Sequence, residues 1–315
     1  MGVVKRPKNG PLDEVYTRMS ESMGALADAF MQTVNAGVRD SAADCPAQQD
    51  RACSDFDDES GWGRPLLGYA DRALVWSLSV QDHMLALAAL IASERVIQAP
   101  VTVTRTALEG LSLIHWLYEP GISRAEKVRR HVNLRLAGAA DELNEWEGVG
   151  GAKSAYPRPA QADQTVESVR KSAHLIDGRL RAARSRGSHW EPARIGDSVP
   201  SRMKRIREMG LVSLKGAPNA GDYVYRQMSA VAHAGELTLY QFMTQTTDAG
   251  DGLMRIVVGT TAADLAIRTG PLLVALGKVM DRLAAYYGLS LDAWHAQWSH
   301  TATLWAEQFS PAQQS

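Results

Sequence analysis

The chain has 315 residues, 45% hydrophobic side chains, two cysteines and a formal net charge of −1. The hydrophobic fraction excludes a wholly disordered chain. The near-neutral charge excludes a protein that coats nucleic acid over its whole surface, although it is compatible with a local basic patch. Two cysteines are too few for a disulfide-stapled scaffold or a cysteine-rich zinc domain.

Apolar residues recur at spacings of three and four along most of the chain, which is typical of helices that bury one face. Only residues 256–258 have a strand-like pattern, and no internal repeat is present. We therefore predict an all-α fold, a single helical domain covering residues 1–315 with about eight to ten helices. The predicted helices span residues 12–37, 65–96, 100–118, 123–147, 162–186, 198–210, 222–246, 254–270, 271–286 and 291–309.

Two charged segments interrupt this pattern. Residues 40–61 hold seven acidic residues against Arg51 alone, which predicts an acidic surface loop at about 40–61. Residues 170–207 hold eleven Lys and Arg against three acids, within a basic segment at about 148–210 that we expect to be mobile. Such a charge excess suits phosphate contacts, although a solvated helix face is the commoner explanation.

The sequence also carries expectations about location. Residues 1–10 are basic, but no apolar run follows them, so we expect no secretory signal. The most apolar runs, Met84–Ala92 and Pro271–Leu276, are much shorter than the roughly 20 residues that span a bilayer. We expect a cytoplasmic protein without a membrane partner.

The most informative segment is Asp222–Gly235. Tyr225, Ser229 and His233 fall at i, i+4 and i+8, and we call these three residues the polar stripe. Arg226 precedes His233 by seven residues, nearly two helical turns, so these two also share a face. An arginine offers a fixed charge with a fork of donors, and a histidine moves a proton near neutral pH. Together they suit phosphate chemistry.

The pair Arg226 and His233, with six residues between them, is similar to the Arg-x(4–6)-His signature of HEPN domains. This resemblance implies a small helical bundle, a homodimer with the motif at its interface, and metal-independent endoribonuclease activity of the kind found in toxin and phage-defence systems. His233 would then act as general acid or base on the ribose 2′-hydroxyl, and Arg226 would stabilise the charged phosphate. Tyr225 and Ser229 would position the phosphate or the imidazole.

A second polar pair lies on an otherwise apolar helix. Arg105 and Glu109 are four residues apart in the predicted helix 100–118. With the polar stripe, they resemble a widespread bacterial helical family of unknown function that pairs an Arg-x3-Glu helix with a Tyr-x3-Ser-x3-His segment. If the pair is buried, each charge needs a partner, and the polar stripe is the expected one. The two together would form a polar pocket inside the bundle.

Three functions follow as alternatives. The first is a HEPN-like ribonuclease or defence-type RNA-binding protein, acting as a homodimer. The second is a small-molecule enzyme or binding protein that uses the interior pocket. The third is a non-catalytic helical interaction protein, in which the stripe is a satisfied hydrogen-bond ladder and the pair a structural salt bridge. A nuclease needs Arg226 and His233 open to a groove, whereas a pocket enzyme needs them enclosed.

No convincing metal or cofactor site is visible in the sequence. The acidic run Asp57-Asp58-Glu59 has no matching second metal motif on a later helix. Cys45 and Cys53 have no nearby histidine pair, whereas zinc prefers four ligands. Metalloprotease, phosphate-loop and nucleophile-elbow motifs are absent as well. We expect neither a metal nor a cofactor.

Overall fold

A computed structural model describes residues 11–93, 98–148, 160–176, 179–181, 184–186, 189–211, 220–233, 243–250, 253–258 and 260–308. Ten α-helices account for most of these residues, which confirms the predicted all-α bundle. The helices are α1 Pro11–Asp40, α2 Pro46–Ala52, α3 Pro65–Ser93, α4 Ala99–Leu117, α5 Arg124–Gly148, α6 Ala160–Ser172, α7 Arg202–Met209, α8 Ala220–Ala232, α9 Ala262–Tyr287 and α10 Asp292–Glu307.

Helices α1, α3, α4, α9 and α10 enclose the main core. The predicted apolar face of α1 is buried, with Met19, Met23 and Phe30 fully covered. A smaller second core lies under α5 and α6, and it includes Trp62 and Val128. Burial of these faces supplies most of the free energy that holds the helices together, because apolar surface leaves water in proportion to its area.

Two short antiparallel strand pairs begin in the segment of one predicted helix. The helix predicted for residues 162–186 ends at Ser172 and is followed by a 3-10 turn. In the sequence, the dipeptides Asp177-Gly178 and Gly187-Ser188 favour turns, and this preference opposes the helix propensity of the arginines between them. The strands are β1 Leu180–Arg181 paired with β4 Arg194–Ile195, and β2 Arg184–Arg186 paired with β3 His189–Glu191.

The third strand pair replaces two further helical predictions. Helix α8 ends at Ala232 instead of residue 246, and β5 Met243–Gly250 pairs with β6 Leu253–Val258. β-branched threonines in β5 and Ile256-Val257-Val258 in β6 favour strands, and Asp251-Gly252 is a dipeptide typical of hairpins. These signals outweigh the helical spacing of the apolar residues across residues 254–270.

Helix α9 joins two predicted helices into one. It runs through Pro271, which costs one main-chain hydrogen bond and is itself buried among core residues. Thr269 Oγ1 donates to the carbonyl of Leu265 at 2.8 Å and accepts from Trp305 Nε1 at 2.8 Å. Packing on both sides of the proline therefore holds the helix continuous.

The sequence predicts an acidic surface loop at residues 40–61, but the structure of this segment is more ordered than that. It contains α2, and Asp50 on this helix is only 1% exposed. Its carboxylate accepts from Lys127 Nζ at 2.6 Å and from the Tyr286 hydroxyl at 2.9 Å, and Arg124 Nε lies 3.5 Å away. Asp50, one residue of the acidic segment, thus serves as an anchor between α2, α5 and α9.

Helix α3 is the one helix of the described ranges that is long and apolar enough, by length and composition alone, to cross a membrane. Its most apolar 18-residue window has a mean hydropathy of 1.5, and 33% of that window is buried in the bundle. The unbroken apolar runs of the sequence are shorter than a bilayer span, whereas a hydropathy averaged over 18 residues tolerates a single charge such as Asp82. A core helix of a soluble protein passes the same test.

Candidate functional site

The carboxylate of Glu109, one member of the predicted polar pair, joins three helices. Glu109 on α4 forms an ion pair with Arg105 Nε at 3.0 Å and with Arg202 Nη1 of α7 at 3.3 Å. The hydroxyl of Tyr225 on α8 donates to Glu109 Oε1 at 2.8 Å. The Arg105 guanidinium also lies over the Tyr225 ring, 5.4 Å from its centroid. We call these four residues the Glu109 cluster, and it confirms the expected contact between the pair and the polar stripe at Tyr225.

Burial shifts the pKa values of two side chains in this region. Arg105 and Glu109 keep only 14% and 17% of their side-chain surface exposed. Burial raises the pKa of Tyr225, and its hydrogen bond to Glu109 acts in the same direction, so the phenol remains a donor. Burial, followed by the charge of Arg202, lowers the pKa of the neighbouring Arg205 to about 10. Arg205 therefore still carries its charge at neutral pH.

Arg202 and Arg205 are site residues that the sequence analysis missed. They were counted only within the basic segment, and no motif distinguished them from the other arginines there. Arg205 Nε donates to Ser112 Oγ at 3.3 Å, and its guanidinium also donates to the carbonyl of Pro200. Ser201 caps α7 by accepting from the Lys204 amide at 3.3 Å. This cap fixes where the arginine side chains emerge.

The polar stripe turns from the core to the solvent along α8. Tyr225 is buried, Ser229 is half-buried and His233 is exposed. Each step of four residues advances roughly 40° around a helix with 3.6 residues per turn, so three such residues do not keep one environment. Arg226 is exposed like His233, and the two lie roughly 20° apart around the axis. The outer face of α8 therefore carries the predicted catalytic pair.

The enclosed pocket expected from these residues is not what the described helices form. Arg105, Glu109 and Tyr225 contact one another, whereas His233 points away from them towards solvent. The two cavities described below are lined by other side chains. Because the stripe rotates out of the core, the described helices bring only Tyr225 of the stripe to the pair, and an interior pocket formed by all five residues stays a prediction.

A polar cleft of about 840 Å³ lies between the end of α4, α5, α7, α9 and residues 194–201. We call it the arginine cleft. Asn133 holds its wall in place, since its side-chain amide donates to the carbonyls of Ile195 and Asp197 at 2.9 Å each. The cleft is lined by six cationic side chains, Arg129, Arg130, Arg181, Arg194, Lys204 and Arg282, and by four acidic ones, Glu119, Glu126, Asp197 and Glu208.

The cationic side chains of the arginine cleft differ in how they are neutralised. Glu126 pairs with Arg129 and accepts from Arg130 Nε at 2.7 Å. No carboxylate among the described side chains lies within ion-pair distance of Arg181 or Arg194. These two guanidiniums keep their donors available for an anion, and guanidinium forks match phosphate oxygens well.

A buried histidine lines the arginine cleft. Burial lowers the pKa of His115 from its ordinary value of 6.5 to about 4, and the charges of Arg282 and Lys278 act in the same direction. His115 is therefore neutral at pH 7. The guanidinium of Arg282 donates to the His115 carbonyl, which fixes one cation of the cleft against α4.

Helix α7 links the arginine cleft to α8. Ser201 and Lys204 line the cleft, while Arg202 lies between them in sequence and pairs with Glu109. Glu109 in turn accepts from Tyr225, the residue next to Arg226. The arginine cleft and the helix that carries Arg226 and His233 are thus connected through two polar contacts.

Metal-binding groups are sparse in the part of the chain that the structure describes. Within it, no set of three or more His, Cys, Asp or Glu side chains is grouped as metal ligands would be. Cys45 and Cys53 are free thiols. Asp58 of the acidic run accepts from Ser172 Oγ at 2.7 Å, and this bond lowers the pKa of its carboxyl.

Comparison of the chain with protein-family models, with curated proteins and with solved structures gave no match. The resemblances to HEPN domains and to the bacterial helical family therefore rest on the short motifs quoted above.

Proposed function

We propose that this protein binds RNA along the arginine cleft and cleaves it without a metal ion, using Arg226 and His233. The exposure of both side chains on one face of α8 carries this proposal. A polymeric substrate reaches only groups at the surface, and the two residues supply a fixed cation and a titratable base. The cleft supports the proposal by providing guanidiniums for backbone phosphates.

The chemistry is an in-line attack by a ribose 2′-hydroxyl. His233 takes the proton of this hydroxyl, the 2′-oxygen forms a bond to the adjacent phosphorus, and the bond from phosphorus to the 5′-oxygen breaks. The leaving oxygen takes a proton from a second general acid. Arg226 stabilises the added negative charge of the transition state. The products are a 2′,3′-cyclic phosphate and a 5′-hydroxyl.

A homodimer brings two such sets together. Arg226 and His233 are about 10 Å apart along the axis of α8, so one helix alone focuses the pair poorly on a single phosphate. Tyr223 on the same face of α8 is 63% exposed, and Ile267 on α9 is 58% exposed. The neighbour of Ile267, Arg268, interacts electrostatically with Tyr223. This apolar surface beside the catalytic pair suits contact with a second copy.

Cleavage of RNA in the presence of EDTA tests the proposal. We expect cyclic phosphate ends, loss of activity in His233→Ala, and a rate reduction of about 10²-fold or more in Arg226→Ala. Arg226→Lys should restore only part of the rate, since lysine lacks the bidentate fork. His300→Ala, which removes an exposed histidine of α10, is the matched control and should cleave normally. Intact RNA, or unchanged cleavage by a folded His233→Ala, would refute the nuclease.

A second candidate function is the binding of a phosphorylated small molecule in the arginine cleft. Its volume of about 840 Å³ is within the range of ligand pockets, and its carboxylates could accept hydrogen bonds from a ligand's hydroxyl or amino groups. Titration with nucleotides and with RNA oligomers of increasing length separates the two functions. Affinity that rises with length favours RNA, whereas saturation by a mononucleotide favours the small molecule. If neither RNA nor a nucleotide binds, the remaining alternative is a non-catalytic interaction protein.

A further inference from the structure

A second, smaller cavity of about 380 Å³ lies between the start of α3 and the middle of α5. Helix α5 separates it from the arginine cleft: Arg129 and Arg130 face the cleft, while His131 and Arg135 line this cavity. Trp62 forms part of the wall and is itself almost fully buried. The proposed function uses none of the residues that line this cavity.

The imidazole of His131 is built into the cavity wall. It is 6% exposed, and its Nδ1 has no hydrogen-bond partner among the described residues. A methyl group at Gly68 would lie 2.9 Å from its Cε1 and 3.0 Å from its Nε2, so only glycine leaves room for the ring. Burial lowers the pKa of His131 to about 3, with Arg72 and Arg135 acting in the same direction. The ring is therefore neutral, with one nitrogen able to donate and the other able to accept.

Two arginines of this cavity lack a counter-charge. Arg72 Nε is buried without a hydrogen-bond partner, and the described bond of Arg135 is a long one of 3.4 Å to the carbonyl of Trp62. Within the described chain, no carboxylate forms an ion pair with either guanidinium. Asp71 lines the same cavity, but it pairs with Arg51 at 3.0 Å.

These observations point to a missing negative charge. Burial lowers the pKa of Arg72, and the neighbouring charge of Arg135 lowers it further. Two half-buried cations that repel each other cost stability unless an anion compensates them. Guanidinium groups recognise carboxylate and phosphate oxygens through paired N–H donors.

We propose that this cavity binds a small oxyanion, a carboxylate or phosphate group held between Arg72 and Arg135. His131 contributes a neutral hydrogen-bonding edge, and Trp62 supplies an apolar wall for the body of the ligand. The volume suits inorganic phosphate or a small organic acid better than a nucleotide. The site is independent of RNA cleavage, because it lies on the other side of α5 from the arginine cleft.

Calorimetry and thermal unfolding with two probes test this site. Inorganic phosphate and sodium benzoate are titrated at constant ionic strength, with chloride as the reference salt. We expect at least one probe to bind saturably and to raise the melting temperature, and the better probe identifies the oxyanion source. Arg135→Gln and Arg72→Gln should each weaken binding at least tenfold, whereas Arg72→Lys should weaken it less. Arg170→Gln, at an exposed position of α6 that lines neither cavity, should bind like the parent protein.

The melting temperature measured without added anion distinguishes the loss of a binding site from the loss of the fold. Because Arg135 adds an uncompensated charge, Arg135→Gln should melt at or above the temperature of the parent in a low-salt buffer. Binding that survives in folded Arg135→Gln, or that is lost in Arg170→Gln instead, would overturn the proposal. So would the absence of saturable binding by both probes.

Discussion

Tyr225 and Glu109 lie 116 positions apart in the chain, yet the phenol donates a hydrogen bond of 2.8 Å to the carboxylate. This bond fixes the rotation of α8 against α4, and rotation decides which residues of α8 face solvent. With Tyr225 turned inward, Arg226 and His233 are turned outward. The Glu109 cluster is therefore a structural support for the proposed site, placed one residue away from its arginine.

The first prediction concerns the stability that this cluster provides. Glu109→Ala leaves Arg105 and Tyr225 without their partner in a largely buried environment. We expect the free energy of unfolding to fall by roughly 3 kcal/mol, the scale of breaking a buried pair. Urea unfolding followed by circular dichroism measures the change.

A surface pair of the same chemistry provides the control for Glu109. Glu167 pairs with Arg170 at 2.9 Å on α6, but both side chains are about half exposed or more. Glu167→Ala should therefore cost about 0–1 kcal/mol. Equal losses in the two variants would show that the Glu109 cluster behaves as a solvated surface pair.

The second prediction concerns the anchor in the acidic segment. Asp50→Asn keeps the size of the side chain but removes the negative charge that Lys127 and Tyr286 contact. We expect a loss of about 3 kcal/mol or more in unfolding free energy, because the ammonium of Lys127 is left largely buried without a counter-charge. Asp55→Asn, at an exposed position of the same segment, should leave stability unchanged. Similar melting temperatures for both variants would contradict the burial of Asp50.

Local signals predict much of the fold. Apolar spacing identifies α1, α3, α4 and α5 to within a few residues, since each of these helices buries a continuous face. Gly210 ends α7 in the left-handed conformation that suits glycine, at the end of the helix predicted for residues 198–210. The local signals fail where tertiary contacts determine the secondary structure. A segment rich in arginine and alanine forms a helix or a short strand according to its turns and its neighbours.

The candidate site was only partly predictable for a related reason. Spacing by four identified the Arg105–Glu109 pair and the polar stripe, but a helix of 3.6 residues per turn carries Tyr225 and His233 into different environments. The arginine cleft combines residues from α5, α7, α9 and the 179–201 region, and no single motif contains them. In the sequence, Asp50 could not be distinguished from the exposed acidic residues around it, because its partners Lys127 and Tyr286 are distant in the chain.

The third prediction concerns pH. His115 is neutral in the folded protein because its pKa is lowered from 6.5 to about 4. Between these values the unfolded chain binds a proton that the folded chain does not, so His115 makes the protein less stable as pH falls from about 6.5 towards 4. Arg282, Lys278 and Glu119 are the charged groups around it. His115→Gln should therefore show a shallower loss of unfolding free energy between about pH 6.5 and 5 than the parent protein.

Exposed His300 serves as the comparison for this titration. His300→Gln removes an exposed imidazole of α10 and controls for the loss of a histidine elsewhere in the chain. Urea unfolding at several pH values gives both slopes. A parent and a His115→Gln variant with identical slopes would show that His115 is accessible to protons in the folded state.

The fourth prediction concerns the arginine cleft as a phosphate-binding surface. Arg194 lines the cleft and has no ion-pair partner among the described carboxylates, so it is free to contact a backbone phosphate. Arg194→Gln should weaken binding of single-stranded RNA, and it should reduce the slope of log K against log salt concentration by about 0.7 for one lost phosphate contact. Arg170→Gln removes an exposed arginine of the same basic segment that pairs with Glu167 outside the cleft. This control should change neither affinity nor slope. Equal effects of the two substitutions would mean that RNA responds to the overall charge of the segment, and the cleft would then have no particular role in binding.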